Sequence, residues 1–224
     1  MRFTGGLIVA TAVIFTGCPN SGIPYGWQLP QAPPPLVWID ELFSEENIGN
    51  GITQTVFRTN DTKYRTREGT TMWTVWDEGS GDFESRTVGM TKSSGYSGGG
   101  YGMVFCHGEY EIDGDFIHAM LVIMINNDGQ YIVGKVTGGV FTDFGWWKTT
   151  PHITKSAGYF NELKVDYIQE TGKYRLEING YEIEHFSDDN FPALRSGRNG
   201  YIAVITPFDN FPWSGVDIYF REEK

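Results

Sequence analysis

The sequence predicts an all-β fold, with many short strands arranged as a sandwich or barrel. Three observations predict it. Apolar and polar residues alternate with a period of two, as in Leu163, Val165 and Tyr167 against Lys164 and Asp166. The runs are punctuated by Asx-Gly and Gly-Gly pairs, which supply the positive φ angles of tight hairpins. Glycine (29 of 224 residues) and aromatics (15%) are abundant, and no amphipathic helix stands out beyond one turn near residues 44–48.

Charge narrows the function. Lys and Arg number 17 against 28 Asp and Glu, a formal net charge of -11. A chain this acidic lacks the basic face that nucleic acid requires. It is equally unsuited to bind anionic lipid headgroups by charge. The aromatic content excludes a disordered chain, and two cysteines exclude a disulfide framework.

Residues 1–17 read as an address. Arg2 precedes a nine-residue stretch, Leu7 to Phe15, that is too short to span a bilayer, and small residues follow. The ending Phe15-Thr16-Gly17-Cys18 resembles the bacterial lipobox, with Phe15 where Leu is usual. That resemblance implies that Cys18 receives a lipid and becomes the mature N-terminus, leaving Cys106 as a lone thiol. Residues 18–35 hold the lipidated Cys and a tether with six of the ten prolines. Proline disfavours helix and sheet pairing, and residues 19–35 fully extended would reach roughly 50 Å at about 3.1 Å per residue.

Residues 36–224 read as one domain. Strand-like runs cover 71–76, 83–88, 101–106, 120–125, 131–136, 161–168, 173–179, 181–186, 201–205 and 216–220. Met120 to Ile125 (MLVIMI) is apolar throughout, so both of its faces should be covered. Asn127-Asp128-Gly129, Gly138-Gly139, Thr171-Gly172, Asn179-Gly180 and Asn199-Gly200 read as turns.

The order of these elements resembles the concanavalin A-like lectin/glucanase superfamily, including its laminin-G-like and DUF1080-like modules. The carrying residues are Tyr101 to Phe105, Met120 to Ile125, Asp128 to Tyr131, Gly138-Gly139 and Trp146-Trp147. Asn161 to Val165, Tyr174 to Gly180, Asp188, Gly197, Gly200 and Val216 to Phe220 complete them. The resemblance implies a two-sheet antiparallel jelly-roll sandwich with a concave face, and glycan binding, glycan cleavage or protein binding as activities. One departure is a loop-like insertion between Cys106 and Met120.

The resemblance also implies a test for catalysis. Retaining glycosidases of this superfamily carry Glu-x-Asp-x-x-Glu, whose two carboxyl groups act as nucleophile and acid/base. Here Glu111-Ile-Asp113-Gly-Asp115-Phe116 sets Phe116 where the second Glu belongs. Phe116 carries no proton to transfer, so the expectation is a domain that is not an enzyme. Glu109, Glu111, Asp113 and Asp115 are oxygen ligands of the kind calcium takes, the last three the candidate set, although the spacing does not fit a helix-loop-helix calcium loop. The four histidines have no zinc-pair spacing. Trp146, Trp147 and Trp213 are candidate platforms for sugar rings, with Tyr101 beside them.

The resulting expectation is a lipid-anchored protein of the bacterial cell envelope with a non-catalytic recognition domain, glycan ahead of an envelope protein as partner. The alternatives are a glycoside hydrolase with an atypical carboxylate pair and a protein-binding adhesion or assembly lipoprotein.

Overall fold

The computed structural model describes residues 42–59, 72–112, 114–187, 195–206, 209 and 215–222, with backbone alone at 72–80 and 112. The described residues contain no α-helix. Their strands in chain order are β1 (Phe43–Asn47), β2 (Thr53–Arg58), β3 (Met72–Asp82), β4 (Ser85–Ser94), β5 (Tyr101–Ile112), β6 (Asp115–Ile125) and β7 (Gln130–Thr137). Then come β8 (Val140–Asp143), β9 (Lys148–Thr149), β10 (Asn161–Ile168), β11 (Lys173–Ile178), β12 (Tyr181–Phe186), β13 (Ser196–Ile205) and β14 (Asp217–Glu222).

They form two seven-stranded sheets. Sheet 1 runs β1-β2-β14-β4-β10-β11-β12, and sheet 2 runs β3-β13-β5-β6-β7-β8, with β9 also on β7. The paired strands are antiparallel, as in Leu163 opposite Ile178 and Val104 opposite Val122. Alternation then sends one side of each strand inward. Leu163 and Val165 meet Ile178 and Leu176 across the β10–β11 ladder, and all four are fully buried. Asn179 and Gly180, both at positive φ, make the two-residue turn from β11 to β12.

The main core lies between the sheets. Phe83, Phe105, Tyr174 and Phe186 pack with ring centroids 4.7–6.4 Å apart, and Tyr201 stacks on Phe220 at 4.5 Å. Each such buried ring contributes about 1.5–3 kcal/mol relative to exposure. Charged groups close the two ends of the sandwich. At one end the Arg86 guanidinium sits 4.8 Å over the Tyr201 ring and bonds Glu222. At the other, Lys92 Nζ donates to the carbonyl of Tyr96 (2.7 Å) and meets Asp209 Oδ1 at 3.4 Å. Burial pushes the Lys92 ammonium below its ordinary range against the pull of Asp209.

Three expectations are corrected. The helical turn near residues 44–48 is strand β1, because Phe43 to Asn47 pair residue by residue with Phe57 to Thr53. Asn199-Gly200 is no turn; it lies inside β13, at an irregularity where the register against β3 and β5 shifts. The insertion after Cys106 is no loop either. It extends β5 and β6 into a long hairpin that pairs Gly108 with Ala119 and Ile112 with Asp115. The expectation for Met120 to Ile125 is met. Leu121, Ile123 and Ile125 join the core between the sheets, and Met120, Val122 and Met124 join a second apolar cluster on the other side. Close strand approach fixes the row beside it: a Cβ on Gly102 would stand 1.9 Å from the Ile123 carbonyl oxygen.

Candidate functional surface on the second sheet

The outer face of sheet 2 is built by a bulge. Up to Phe105, odd residues of β5 point to the core, and Gly102 and Val104 point away. Cys106 then takes a positive φ of 55° and is itself buried in the core. The phase therefore shifts by one residue, and His107, Glu109 and Glu111 all emerge on the outer face. A matching irregularity in β13 lies alongside, and the Cys106 N–H donates to Asn199 Oδ1 at 3.3 Å. The Cys106 thiol lies 3.7 Å from the Tyr174 hydroxyl, and burial pushes its pKa up to about 11.

The outer face has two halves as a result. Toward the hairpin tip it is polar: His107 pairs in register with Arg198, Glu109 with His118 and Glu111 with Phe116. The imidazoles of His107 and His118 lie 6.3 Å apart. Glu109, Glu111, His118 and Arg198 are exposed, and Phe116 is 70% exposed. Toward the other end the face is apolar, with Val104, Met120, Val122, Met124, Ile132, Val136, Phe141, Ile202 and Val204. The surface offers an aromatic ring flanked by carboxylates and imidazoles, groups that stack on sugar C–H faces and bond hydroxyls.

The predicted site residues distribute differently. Trp146 and Trp147 divide as expected, one out and one in, but on a loop between β8 and β9 rather than on a strand. Asp143 Oδ1 accepts the N–H groups of Gly145 and Trp146, at 3.1 and 2.7 Å, and so holds Trp146 at φ 62°. Trp146 is 46% exposed, whereas Trp147 packs on the apolar half of sheet 2. Tyr101 is corrected from platform to packing residue: it is 1% exposed, and its hydroxyl donates to Asn127 Oδ1 at 2.8 Å. Trp213, Asp113 and Cys18 lie outside the described residues.

Of the calcium candidates, Glu111 and Asp115 lie among the described residues. Glu111 is opposite Phe116 and Asp115 opposite Ile112, so the two carboxylates fall on opposite faces of the hairpin. Among the described residues no three His, Cys, Asp or Glu side chains come together to hold a metal ion. Sequence reasoning weighed Glu109 as a metal ligand but did not pair it with His118, nor His107 with Arg198. Asp-Gly at 113–114 has the composition of a turn, and counting outward from it in the sequence pairs Glu111 with Phe116 and Glu109 with His118.

No family model and no curated protein matches the chain. Solved structures do. A glycoside hydrolase family 16 endo-glucanase from Bacteroides ovatus matches with a TM-score of 0.54 at 8% identity, covering 91% of this chain and 93% of that one. A family 16 protein of the Bacteroides ovatus mixed linkage glucan locus, in complex with a product, matches at 0.53 and 9%, covering 83% and 85%. A lichenase from a mouse hindgut metagenome matches at 0.50 and 9%, covering 91% and 90%. The chain has the concanavalin A-like jelly-roll fold. The expectation of a lectin/glucanase-like domain is met at that level.

Proposed function

We propose that this chain is a membrane-anchored bacterial lipoprotein whose jelly-roll domain binds glycan without cleaving it. One observation carries the reading. Phe116 stands open on the outer face of β6, across the hairpin from Glu111 on β5, so the run that resembles the hydrolase motif is split between two strands and ends in a ring that carries no proton. An exposed ring there serves binding and not proton transfer. The neighbours of the same fold, an endo-glucanase and a mixed linkage glucan protein with its product, support glycan as the ligand class. The lipobox-like run ending at Cys18 supports the anchor and a place in the cell envelope.

Polysaccharide pull-down and glycan-array binding test the recognition. Phe116→Ala and Trp146→Ala should each weaken retention while leaving the melting transition in place, since both rings are exposed. Wild-type protein that retains no polysaccharide from a broad panel overturns the reading. Labelling with a radiolabelled fatty acid, lost in Cys18→Ser, tests the anchor.

A second reading rests on the bulge. Glu109 and Glu111 lie on the same face of β5, two residues apart, and could form an atypical carboxylate pair. Reducing-sugar release that disappears in Glu111→Ala would establish hydrolysis and displace the non-catalytic reading.

A further inference from the structure

The outer face of sheet 2 poses a packing problem. Its nine apolar side chains, from Val104 to Val204, are each 7% exposed or less. In a two-layer sandwich the outer faces meet water, so a face buried this thoroughly has a third layer on it. Among the described residues, the half-buried hydrophobic side chain packed there is Trp147. One indole does not span the five strands from β13 to β8, about 20 Å across at about 4.8 Å per strand.

We infer that residues 18–41 of this same chain form that layer, running across the apolar half of sheet 2. Where this segment joins the sandwich is the first argument. It ends at Leu42, next to Phe43 on β1. Phe43 is opposite Phe57, Phe57 is opposite Ile218, and Ile218 is opposite Lys92, so Phe43 sits at the Lys92 end of the sandwich. Lys92 bonds the Tyr96 carbonyl just before β5, the end at which Met124 and Val204 also lie. The lateral position agrees. β12 meets β9 through the Lys148–Glu184 ion pair, which leaves β1, at the opposite edge of sheet 1, on the β3 side of sheet 2. The segment thus arrives beside the apolar half.

Composition is the second argument. Residues 18–41 carry Ile23, Tyr25, Trp27, Leu29, Leu36, Val37, Trp38 and Ile39 among six prolines. A strip laid over a dry apolar face must not strand N–H groups there, and proline has none. The other stretches fit less well. Residues 60–71 read NDTKYRTREGTT, polar throughout but for one tyrosine. Residues 188–194 (DDNFPAL) hold four apolar residues, but they lead into Ser196 and Arg198, at the end of β13 beside Asp82 and His107 where the outer face is polar. The chain on either side of 207–214 is drawn to the end of the sandwich, where Asp209 accepts the Thr206 and Tyr96 N–H groups at 2.6 Å each.

Methionine footprinting with dilute hydrogen peroxide, read residue by residue by mass spectrometry, tests this on the full chain purified without export. Met120 and Met124 report the outer face; Met90 and Met103, between the sheets, report unfolding. Sulfoxide formation follows exposure. In the parent chain all four should be protected. Leu36→Asp with Trp38→Asp should speed oxidation of Met120 and Met124 several-fold and leave Met90 and Met103 unchanged. If all four react, Leu36→Ala with Trp38→Ala is read in the same way. Continued protection of Met120 and Met124 in both pairs overturns the inference. So does exposure produced by Ile8→Asp with Ile14→Asp, which would assign the layer to the first 17 residues. The readout is independent of glycan binding and of lipidation.

Discussion

The two outer faces of the sandwich are made from the same kind of strand and have opposite chemistry. On sheet 1 the outward residues form a lattice of ion pairs. Arg58 meets Glu46 and Asp217 at 3.3 and 3.1 Å, and Arg175 meets Asp166 and Glu177 at 2.6 and 3.2 Å. Lys164 lies between Asp166 and Glu177. On sheet 2 the outward residues are apolar across five strands and turn polar only past the Cys106 bulge. Sheet 1 keeps strict alternation over β10 and β11 and therefore presents solvent chemistry. Sheet 2 abandons alternation in β6 and breaks phase in β5. The contrast teaches that the distinctive surface of this molecule lies where the simple pattern of a half-buried strand fails.

The sharpest way to break that contrast is one added charge per face. Val122→Asp places a carboxylate in the buried cluster of sheet 2 and should cost about 3–5 kcal/mol in a urea melt. Thr87→Asp, on the outer face of sheet 1 beside Lys164, should stay within about 0.5 kcal/mol. Equal effects would show that the two faces are not different in kind. The bulge comes next. Cys106→Val forces a β-branched residue into the left-handed region and should cost about 1–3 kcal/mol, whereas Cys106→Gly should keep the fold. If Val is tolerated as well as Gly, the bulge does not set the phase of His107, Glu109 and Glu111.

The smallest effects belong to sheet 1. Arg175→Ala should move the urea midpoint least of these variants, and less still at high salt. Asp166 gives this a pH signature. Partial burial works to raise its pKa, but hydrogen bonds from Ser85, Arg175 and Lys164 outweigh that and hold it below the ordinary range. A depressed folded pKa adds stability above the unfolded value of about 3.9, and that stability fades as pH falls through the folded value. Asp166→Asn should therefore narrow the difference in stability between neutral and acid pH, measured by melts across that range.

Much of the fold was legible. The β10–β11–β12 meander followed from alternation and from Thr171-Gly172 and Asn179-Gly180, because all of its pairings are local. β1 and β2 were not legible. They are held by β14, from the far end of the chain, and Ser44-Glu45-Glu46-Asn47 carries no apolar stripe to announce a strand. Asn199-Gly200 had the chemistry of a turn, yet tertiary pairing kept it in β13 and spent its irregularity beside Cys106. For the surface, Phe116 in place of a carboxylate could be read directly. The side on which His107 and Glu109 emerge could not, because a bulge at a cysteine has no composition signal. Trp146 and Trp147 were legible as a split pair, but the Asp143 cap that sets their loop was not.

The place of β14 in sheet 1 has a consequence for how the protein is made. Residues 217–222 do not add to an edge; they sit between β2 and β4, so the sheet stays in two unjoined pieces until the end of the chain arrives. Closing it brings together segments about 160 residues apart, against a loop-closure entropy that grows with separation. A chain still being synthesised cannot complete sheet 1 until residues 217–222 have emerged.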